Sequence, residues 1–300
     1  MRELTSFTRR NIKLFFKDKG LFFTSLITPV ILLVLYITFL ARVFRESFNA
    51  SMPDFTPEKL VNASVAAQLI SSLLAVCCVT VAFCSNMLMV QDKISGVSKD
   101  ISVTPVKRSV LSAGYYLASF ATTLIICVFT LVIGLLYIAS CGWYMNISDV
   151  LYLLLDVFLL TMMGTALSSI INCFLSTQGQ ISAVGTIVSS GYGFICGAYM
   201  PMSMFPEGLT KVLSFLPGTY ATALIRTHAF AGPAREMIKI GYPADVVERI
   251  KDSIDSNIYF FGNKVGVGQM YLVLGGAVAV FVAAYILINV ISGKRAKKNS

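Results

Sequence analysis

Long, almost uninterrupted apolar runs alternate with short charged segments along this chain. Each run reaches the roughly twenty residues that a helix needs to cross about 30 Å of hydrocarbon. A transmembrane β-strand would instead alternate apolar and polar positions over about ten residues. The pattern therefore predicts six transmembrane helices, at 21–40, 63–90, 110–139, 150–172, 181–200 and 269–291.

Composition places the chain among membrane proteins. Hydrophobic residues make up 56% of the 300 positions and charged residues only 13%, against roughly 25% charged in an ordinary soluble domain. We therefore expect one all-α, polytopic membrane domain over residues 1–300. The seven cysteines fall within or beside apolar runs without metal-ligand spacing, which is typical of thiols that pack as small apolar groups.

Basic residues are divided unevenly between the two sets of connections. The N-terminus, the connection after the second span and the C-terminal tail hold fourteen basic and four acidic residues, whereas the opposite connections hold ten of each. The positive-inside rule therefore predicts a multi-pass plasma-membrane protein with both termini in the cytoplasm. The competing interpretation, a cleaved signal peptide, disagrees with the length of the first run and with the absence of a small-x-small cleavage site.

The segment before the first span mixes basic and apolar residues at helical spacing. This pattern predicts an amphipathic helix over 1–20 that lies in the membrane interface. The alternative, a mobile basic tail, would leave several aromatic side chains in water. The apolar positions are Leu4, Phe7, Ile12, Leu14, Phe15 and Phe16.

The connection after the second span is short, polar and cytoplasmic in the predicted orientation. Gly96 breaks one turn there and Pro105 fixes another, which predicts a small helix held across the membrane surface. Any polar loop between two spans needs such residues. Here the loop has an amphipathic helix near it, and the connection 173–180 carries no charge.

Two stretches of sequence resemble a known family. The run Asp92 to Gly96, followed by Thr104 and Pro105, resembles the signature loop of type-two ATP-binding-cassette (ABC) exporter permeases. The resemblance implies that this loop is a coupling helix that docks on a nucleotide-binding subunit. The implied coupling residues are Asp92, Lys93, Gly96, Thr104 and Pro105, with Asp92 where the family more often has Glu and Lys93 where it often has Arg.

The second stretch follows the fifth predicted span. It resembles the family's Pro-x-x-x-x-Pro and Leu-Pro-x-x-Tyr pattern at Pro201, Pro206, Pro217 and Tyr220, which implies an extracellular helical hairpin. Prolines that can start helices, together with an apolar face, favour a hairpin that re-enters the outer leaflet over a plain surface loop. Farther along, 244–254 has the pattern of an amphipathic helix, and Tyr259 to Phe261 that of an interfacial aromatic anchor.

Small and polar residues recur on one face of two predicted spans. In the fifth span they form a small-x-x-x-small ridge, which allows another helix to approach closely. The resemblance implies that these two spans line the cavity of a two-fold dimer, while static packing inside one subunit is the alternative for the ridge. The expected path residues are Gln68, Ser72 and Asn86 in the second span, and Ser189, Gly193 and Gly197 in the fifth.

Asp156 is the only acidic residue placed inside a predicted span. An intramembrane carboxylate is a candidate functional group because its burial is costly unless it is protonated or paired. Its position six residues into the span would also let it reach toward the outer interface. His228, the single histidine, has no spacing for a catalytic triad or a metal site, so we expect an external, structural role for it.

The sequence has no G-x-x-x-x-G-K-[ST] phosphate loop, so we expect no enzyme activity and no cofactor in this chain. With the resemblance, this favours an exporter permease with ATP and Mg²⁺ on a partner ATPase subunit, a second permease as dimer partner, and an amphiphilic cargo. Export is implied by the resemblance alone. An ATP-independent secondary transporter or channel is the alternative, and a membrane enzyme would need an acid/base or metal constellation.

Overall fold

The computed structural model describes residues 2–53, 55–104, 106–199, 202 and 205–298. Helix dominates these residues. The α-helices are α1 (Arg2–Lys17), α2 (Lys19–Leu35), α3 (Ala41–Ser51), α4 (Glu58–Ile94), α5 (Val97–Ser102), α6 (Arg108–Cys141), α7 (Ile147–Phe174), α8 (Gln178–Ile195), α9 (Glu207–Leu213), α10 (Pro217–Lys239), α11 (Ala244–Ser253) and α12 (Val267–Lys298).

Five helical runs are long and apolar enough to cross a membrane. They are Lys19–Asn49, Glu58–Ile94, Arg108–Cys141, Ile147–Phe174 and Val267–Ile291. The first is continuous because a π-helical segment, Tyr36–Leu40, joins α2 to α3. These helices confirm an all-helical, polytopic membrane protein.

The fifth predicted span, 181–200, is shorter in the structure. Its helix, α8, ends at Ile195, because Gly197 adopts a left-handed conformation with φ of 72° and the chain folds back. The backbone N–H groups of Ala198 and Tyr199 both donate to the carbonyl of Gly193. With eighteen residues and polar ones at its start, α8 does not join the five apolar helices, and six crossings stay a prediction.

Helix α4 lies at the centre of the molecule. In its most apolar stretch 94% of the residues are buried, against 28% for the run that contains α2 and for α6. It packs against α2, α6, α7, α8 and α10. Glycines allow the closest approaches: a Cβ at Gly164 of α7 would lie 3.0 Å from the carbonyl oxygen of Cys78.

A small antiparallel hairpin follows α11 and was not predicted. Its strands are β1 (Ile258–Phe260) and β2 (Asn263–Val265), with Ile258 opposite Val265. Of the three expected anchor residues, Tyr259 and Phe260 belong to β1. Phe261 lies in the turn, where it and Gly262 have positive φ. Each strand has only three residues, so its alternation of apolar and polar positions is too short to predict a strand from the sequence.

The two ends of the helix bundle differ in what they carry. One end, here called the loop end, has α1, α5 and the connection between α7 and α8. The other, the hairpin end, has α9, α10, α11 and the β-hairpin. The amphipathic helix expected over 1–20 is α1, with Asn11 and Phe15 buried against the bundle.

Candidate functional site

The loop after α4 forms a short helix that begins at a glycine. Gly96 has φ of 84°, a left-handed conformation that ends α4 and starts α5. Its carbonyl accepts hydrogen bonds from the N–H groups of Lys99 and Asp100 at 2.8 and 3.3 Å. A single residue thus sets the angle between the central helix and α5.

Asp92 holds the N-terminal helix against the end of α4. Its buried carboxylate accepts hydrogen bonds from Arg10 at 3.0 Å and from the hydroxyl of Tyr115 at 2.6 Å. The ring of Phe7 packs edge-on against Tyr115, next to Gly114. Asp92 therefore faces inward, although the sequence resemblance placed it among residues that contact a partner.

Lys93 binds the end of another helix. Its ammonium group donates to the carbonyl oxygens of Asn172 and Cys173, both at 3.0 Å, and of Leu175 at 3.3 Å. These carbonyls belong to the last turn of α7, where a cation is favoured by the helix dipole and by the lack of intrahelical donors. Asp92 and Lys93 thus fix the end of α4, from which α5 continues, on two sides.

The surface that α5 exposes is formed by other residues. Lys99, Asp100, Val103 and Thr104 are exposed, and Val103 has 85% of its surface accessible. Thr104 also closes the turn after α5 by donating to the carbonyl of Ile101 at 2.6 Å. Pro105, the fifth predicted coupling residue, lies outside the described residues.

An open groove of about 940 Å³ lies between α2, α4 and α8. Hydroxyl groups and apolar side chains alternate along it, and Asp18, which caps the start of α2, is its charged residue. Its volume is within the range of about 300–1,000 Å³ that small-molecule sites occupy. Its lining includes Thr24, Thr28, Ile31, Ser182, Ser189 and Phe194.

The expected path residues of α4 lie in the packed interior. Gln68, Ser72 and Asn86 are all buried. The amide of Asn86 donates to the hydroxyls of Ser168 and Ser169 at 2.7 Å each and so ties α4 to α7. The residues of α4 that line the open groove are instead Cys84, Met87 and Gln91.

The three expected path residues near the end of α8 have different surroundings. Ser189 lines the groove. Gly193 is covered by the ring of Tyr199, which would lie 2.2 Å from an added Cβ. Gly197 turns the chain and its carbonyl accepts a bond from Arg226. The absence of a side chain at Gly193 therefore accommodates Tyr199 of the same chain.

The proline-rich stretch forms a closed turn between α9 and α10. Pro206 precedes α9, and Pro217 is the first residue of α10, where its missing N–H has no consequence. The buried hydroxyl of Tyr220 donates to the carbonyl of Ser214 at 2.6 Å, and that of Thr219 to Leu213 at 2.9 Å. Pro201 lies outside the described residues.

Arg226 connects three segments at the base of this hairpin. It is buried, forms a salt bridge with Asp255 at 3.3 Å, and donates to the carbonyl of Gly197 and to the hydroxyl of Ser72. Asp255 also accepts the backbone N–H of Met202 at 2.7 Å. The sequence analysis missed this site, because a lone arginine in an apolar stretch is the only signal that it leaves.

Asp156 and His228 are partners, a contact that the sequence analysis did not predict. The carboxylate of Asp156, 1% exposed, lies 2.6 Å from Nδ1 of His228 and accepts the hydroxyl of Tyr271 at 2.6 Å. Tyr152 stacks on the imidazole. Asp156 is therefore held inside the bundle by α10 and α12.

A second ion pair joins α7 to α10, nearer to the start of α7. Arg235 of α10 forms a bidentate contact with Asp149, and this bond raises the pKa of the guanidinium above its ordinary value. Asp149 also completes a capping box with Asn146. Helix α10 is thus fastened to α7 at two positions, one deeply buried and one half-exposed.

These helices and sites define a polytopic membrane protein with a braced polar loop at one end and a helical hairpin at the other. The sequence model described as ABC-2 family transporter protein matches residues 45–287. The chain belongs to this family and is an ABC transporter permease component, as the resemblance in the loop and the hairpin indicated. Permeases of the family normally pair with an ATPase subunit. A search among curated proteins found no match.

Proposed function

We propose that this chain is the transmembrane permease subunit of an ATP-driven exporter at the plasma membrane. The loop end is cytoplasmic with both termini, and α5 docks on a separate ATPase subunit that binds ATP and Mg²⁺ and carries out the hydrolysis. The observation that carries the proposal is the bracing of the end of α4, from which α5 continues: Asp92 connects it to α1 and α6, and Lys93 connects it to α7. A push on α5 reaches these helices through α4.

The transport path follows the groove between α2 and α8. Two copies, or one copy and a similar permease, face each other across these helices and alternate between inward-facing and outward-facing states. The mixture of hydroxyl and apolar groups in the groove suits an amphiphilic cargo, such as a drug, a hydrophobic peptide or a lipid-like molecule. The sixth crossing is α8, and the segment from α9 to α10 re-enters the membrane from the outside.

Val103→Asp tests the docking surface. The change adds a carboxylate to a side chain that is 85% exposed, so the chain keeps its fold. Burying that charge against a docked subunit lowers affinity by roughly tenfold. We expect the recovery of phosphate-loop ATPase subunits with the permease purified from its native membrane, measured by mass spectrometry, to fall accordingly.

Ile147→Asp is the matched control. This residue is 77% exposed at the hairpin end, where an acidic residue in the first turn of α7 is tolerated by the helix dipole. It should leave the recovery of ATPase unchanged. Equal recovery with both variants would contradict docking through α5.

One observation favours the alternative of an ATP-independent secondary transporter or channel. The buried Asp156–His228 pair is an ionisable cluster within the bundle, which proton-coupled transporters use. Transport by the purified chain in proteoliposomes without an ATPase subunit or ATP would support this alternative and overturn the proposed exporter.

A further inference from the structure

A second, narrower groove lies between α6 and α12 at the loop end. Its volume is about 310 Å³, at the small end of the range for ligand sites. Leu117, Ile286 and Val290 line it and are also partly exposed on the outside of the bundle. Both helices are among the runs that are long and apolar enough to cross a membrane, so in a bilayer the lateral opening between them would face hydrocarbon.

The polar groups at the base of this groove are already bound to each other. The hydroxyl of Ser112 donates to the side-chain oxygen of Asn289 at 2.7 Å, and the Asn289 amide donates to the carbonyl of Tyr285 at 2.8 Å. The hydroxyl of Tyr285 donates to the carbonyl of Ser112 at 3.0 Å. The interior thus favours an apolar occupant that makes no hydrogen bonds of its own.

The mouth of the groove is basic. Arg108, the first residue of α6, lines it, is exposed, and has no ion-pair partner among the described residues. The exposed Lys107 precedes it, and no side chain caps the start of α6. The sequences of α6 and α12 contain no acidic residue. The surroundings therefore attract an anion.

We propose that this groove binds one acyl chain of an anionic phospholipid, with the phosphate of its headgroup at Arg108. The apolar walls select a hydrocarbon chain, the lateral opening gives access from the leaflet at the loop end, and the basic mouth selects a negatively charged headgroup. The site is separate from the groove between α2 and α8 and does not depend on transport.

The test is competition between two lipids on the full-length chain in detergent. Equimolar phosphatidylglycerol and phosphatidylcholine with identical acyl chains are added, and native mass spectrometry counts the lipids retained. We expect one phosphatidylglycerol to be retained in preference to phosphatidylcholine. Arg108→Gln should lower that preference by about fivefold, the usual effect of one basic residue near an anionic surface.

Two matched controls make the result specific. Lys13→Gln removes the same charge from an exposed position on α1, and should keep the preference. Ala113→Phe fills the groove and should lower the retention of both lipids, whereas Ala121→Phe, two turns farther along α6 and outside the groove, should not. Size-exclusion profiles like that of the unmodified chain establish that each variant is folded.

Three outcomes would overturn the proposal. Equal effects of Arg108→Gln and Lys13→Gln would mean that attraction is general and not centred on Arg108. Undiminished retention in the Ala113→Phe variant would place the lipid elsewhere. Equal retention of both lipids by the unmodified chain would mean that the groove holds apolar chains without recognising the headgroup.

Discussion

At the scale of single residues, Asp156 shows which part of a site the sequence reveals. A carboxylate inside an apolar run is visible at once, but its partners are not. His228 and Tyr271 lie 72 and 115 positions away and come from α10 and α12. Their meeting depends on the rotation of each helix about its axis, which the polarity of an almost wholly apolar helix does not determine.

Asp156→Asn should destabilise the protein by about 2–4 kcal/mol, because it leaves polar groups of His228 and Tyr271 poorly paired in the interior. Thermal unfolding can be followed with a thiol-reactive dye, since Cys77, Cys78 and Cys127 become accessible only when the bundle opens.

The comparison is Asp149→Asn, which also breaks a pair between α7 and α10. Because 40% of the Arg235 side chain is exposed, we expect a loss of only about 1 kcal/mol there. The double variant Asp156→Asn/His228→Asn should cost less than the sum of the single changes. Additive losses would mean that the two side chains do not interact.

At the scale of elements, α5 and the helices around it were only partly predictable. Gly96 in a polar stretch predicts a break, and the structure has one. That Asp92 faces inward was not predictable, because the end of a helix near the membrane surface is polar on every side. Helix α1 was predictable as an amphipathic helix, but its attachment through Arg10 was not.

Gly96→Ala should cost about 1–2 kcal/mol, the price of a left-handed conformation for a residue with a Cβ. An added Cβ would meet no atom within 4 Å, so the effect comes from the backbone alone. Relaxation of that strain tilts α5, and we expect the stimulation of ATP hydrolysis by cargo to fall in the reconstituted complex.

Gly179→Ala serves as the matched change. Gly179 also has open space around its Cβ position, but it lies in the first turn of α8 without positive φ. Alanine there should stabilise the chain by up to about 1 kcal/mol and leave ATP hydrolysis unaffected. If Gly96→Ala and Gly179→Ala had the same effect on ATP hydrolysis, the position of α5 would have no role in coupling.

At the scale of the whole molecule, the exposed apolar faces are unequal in kind. The face of α2 and α8 borders a wide groove that contains hydroxyl groups, whereas the exposed residues in the middle of α6, from Leu117 to Leu136, are apolar. Five of the six predicted spans correspond to long apolar helices, because length and hydropathy suffice to identify them. The fold-back after α8 was not, since it depends on Gly193 accepting the ring of Tyr199.

Ile187→Cys should crosslink two copies of the chain in the membrane if α2 and α8 face a second permease. Ile187 is 68% exposed on α8. A short bis-maleimide should give a product of twice the mass on a denaturing gel. Phe129→Cys, at a position 66% exposed on α6, should stay monomeric. The reverse pattern would move the dimer contact to α6.

The burial of α4 also has a consequence for how the protein is made. Most of the helices that surround α4 are synthesised after it, and the hydroxyl partners of Asn86 lie on α6 and α7. Before those helices are in place, α4, which is rich in serine, glutamine and asparagine, lacks these hydrogen bonds. The side chain of Asn86 is therefore fully paired only after α6 and α7 have packed against α4, which makes this pairing a late step in assembly.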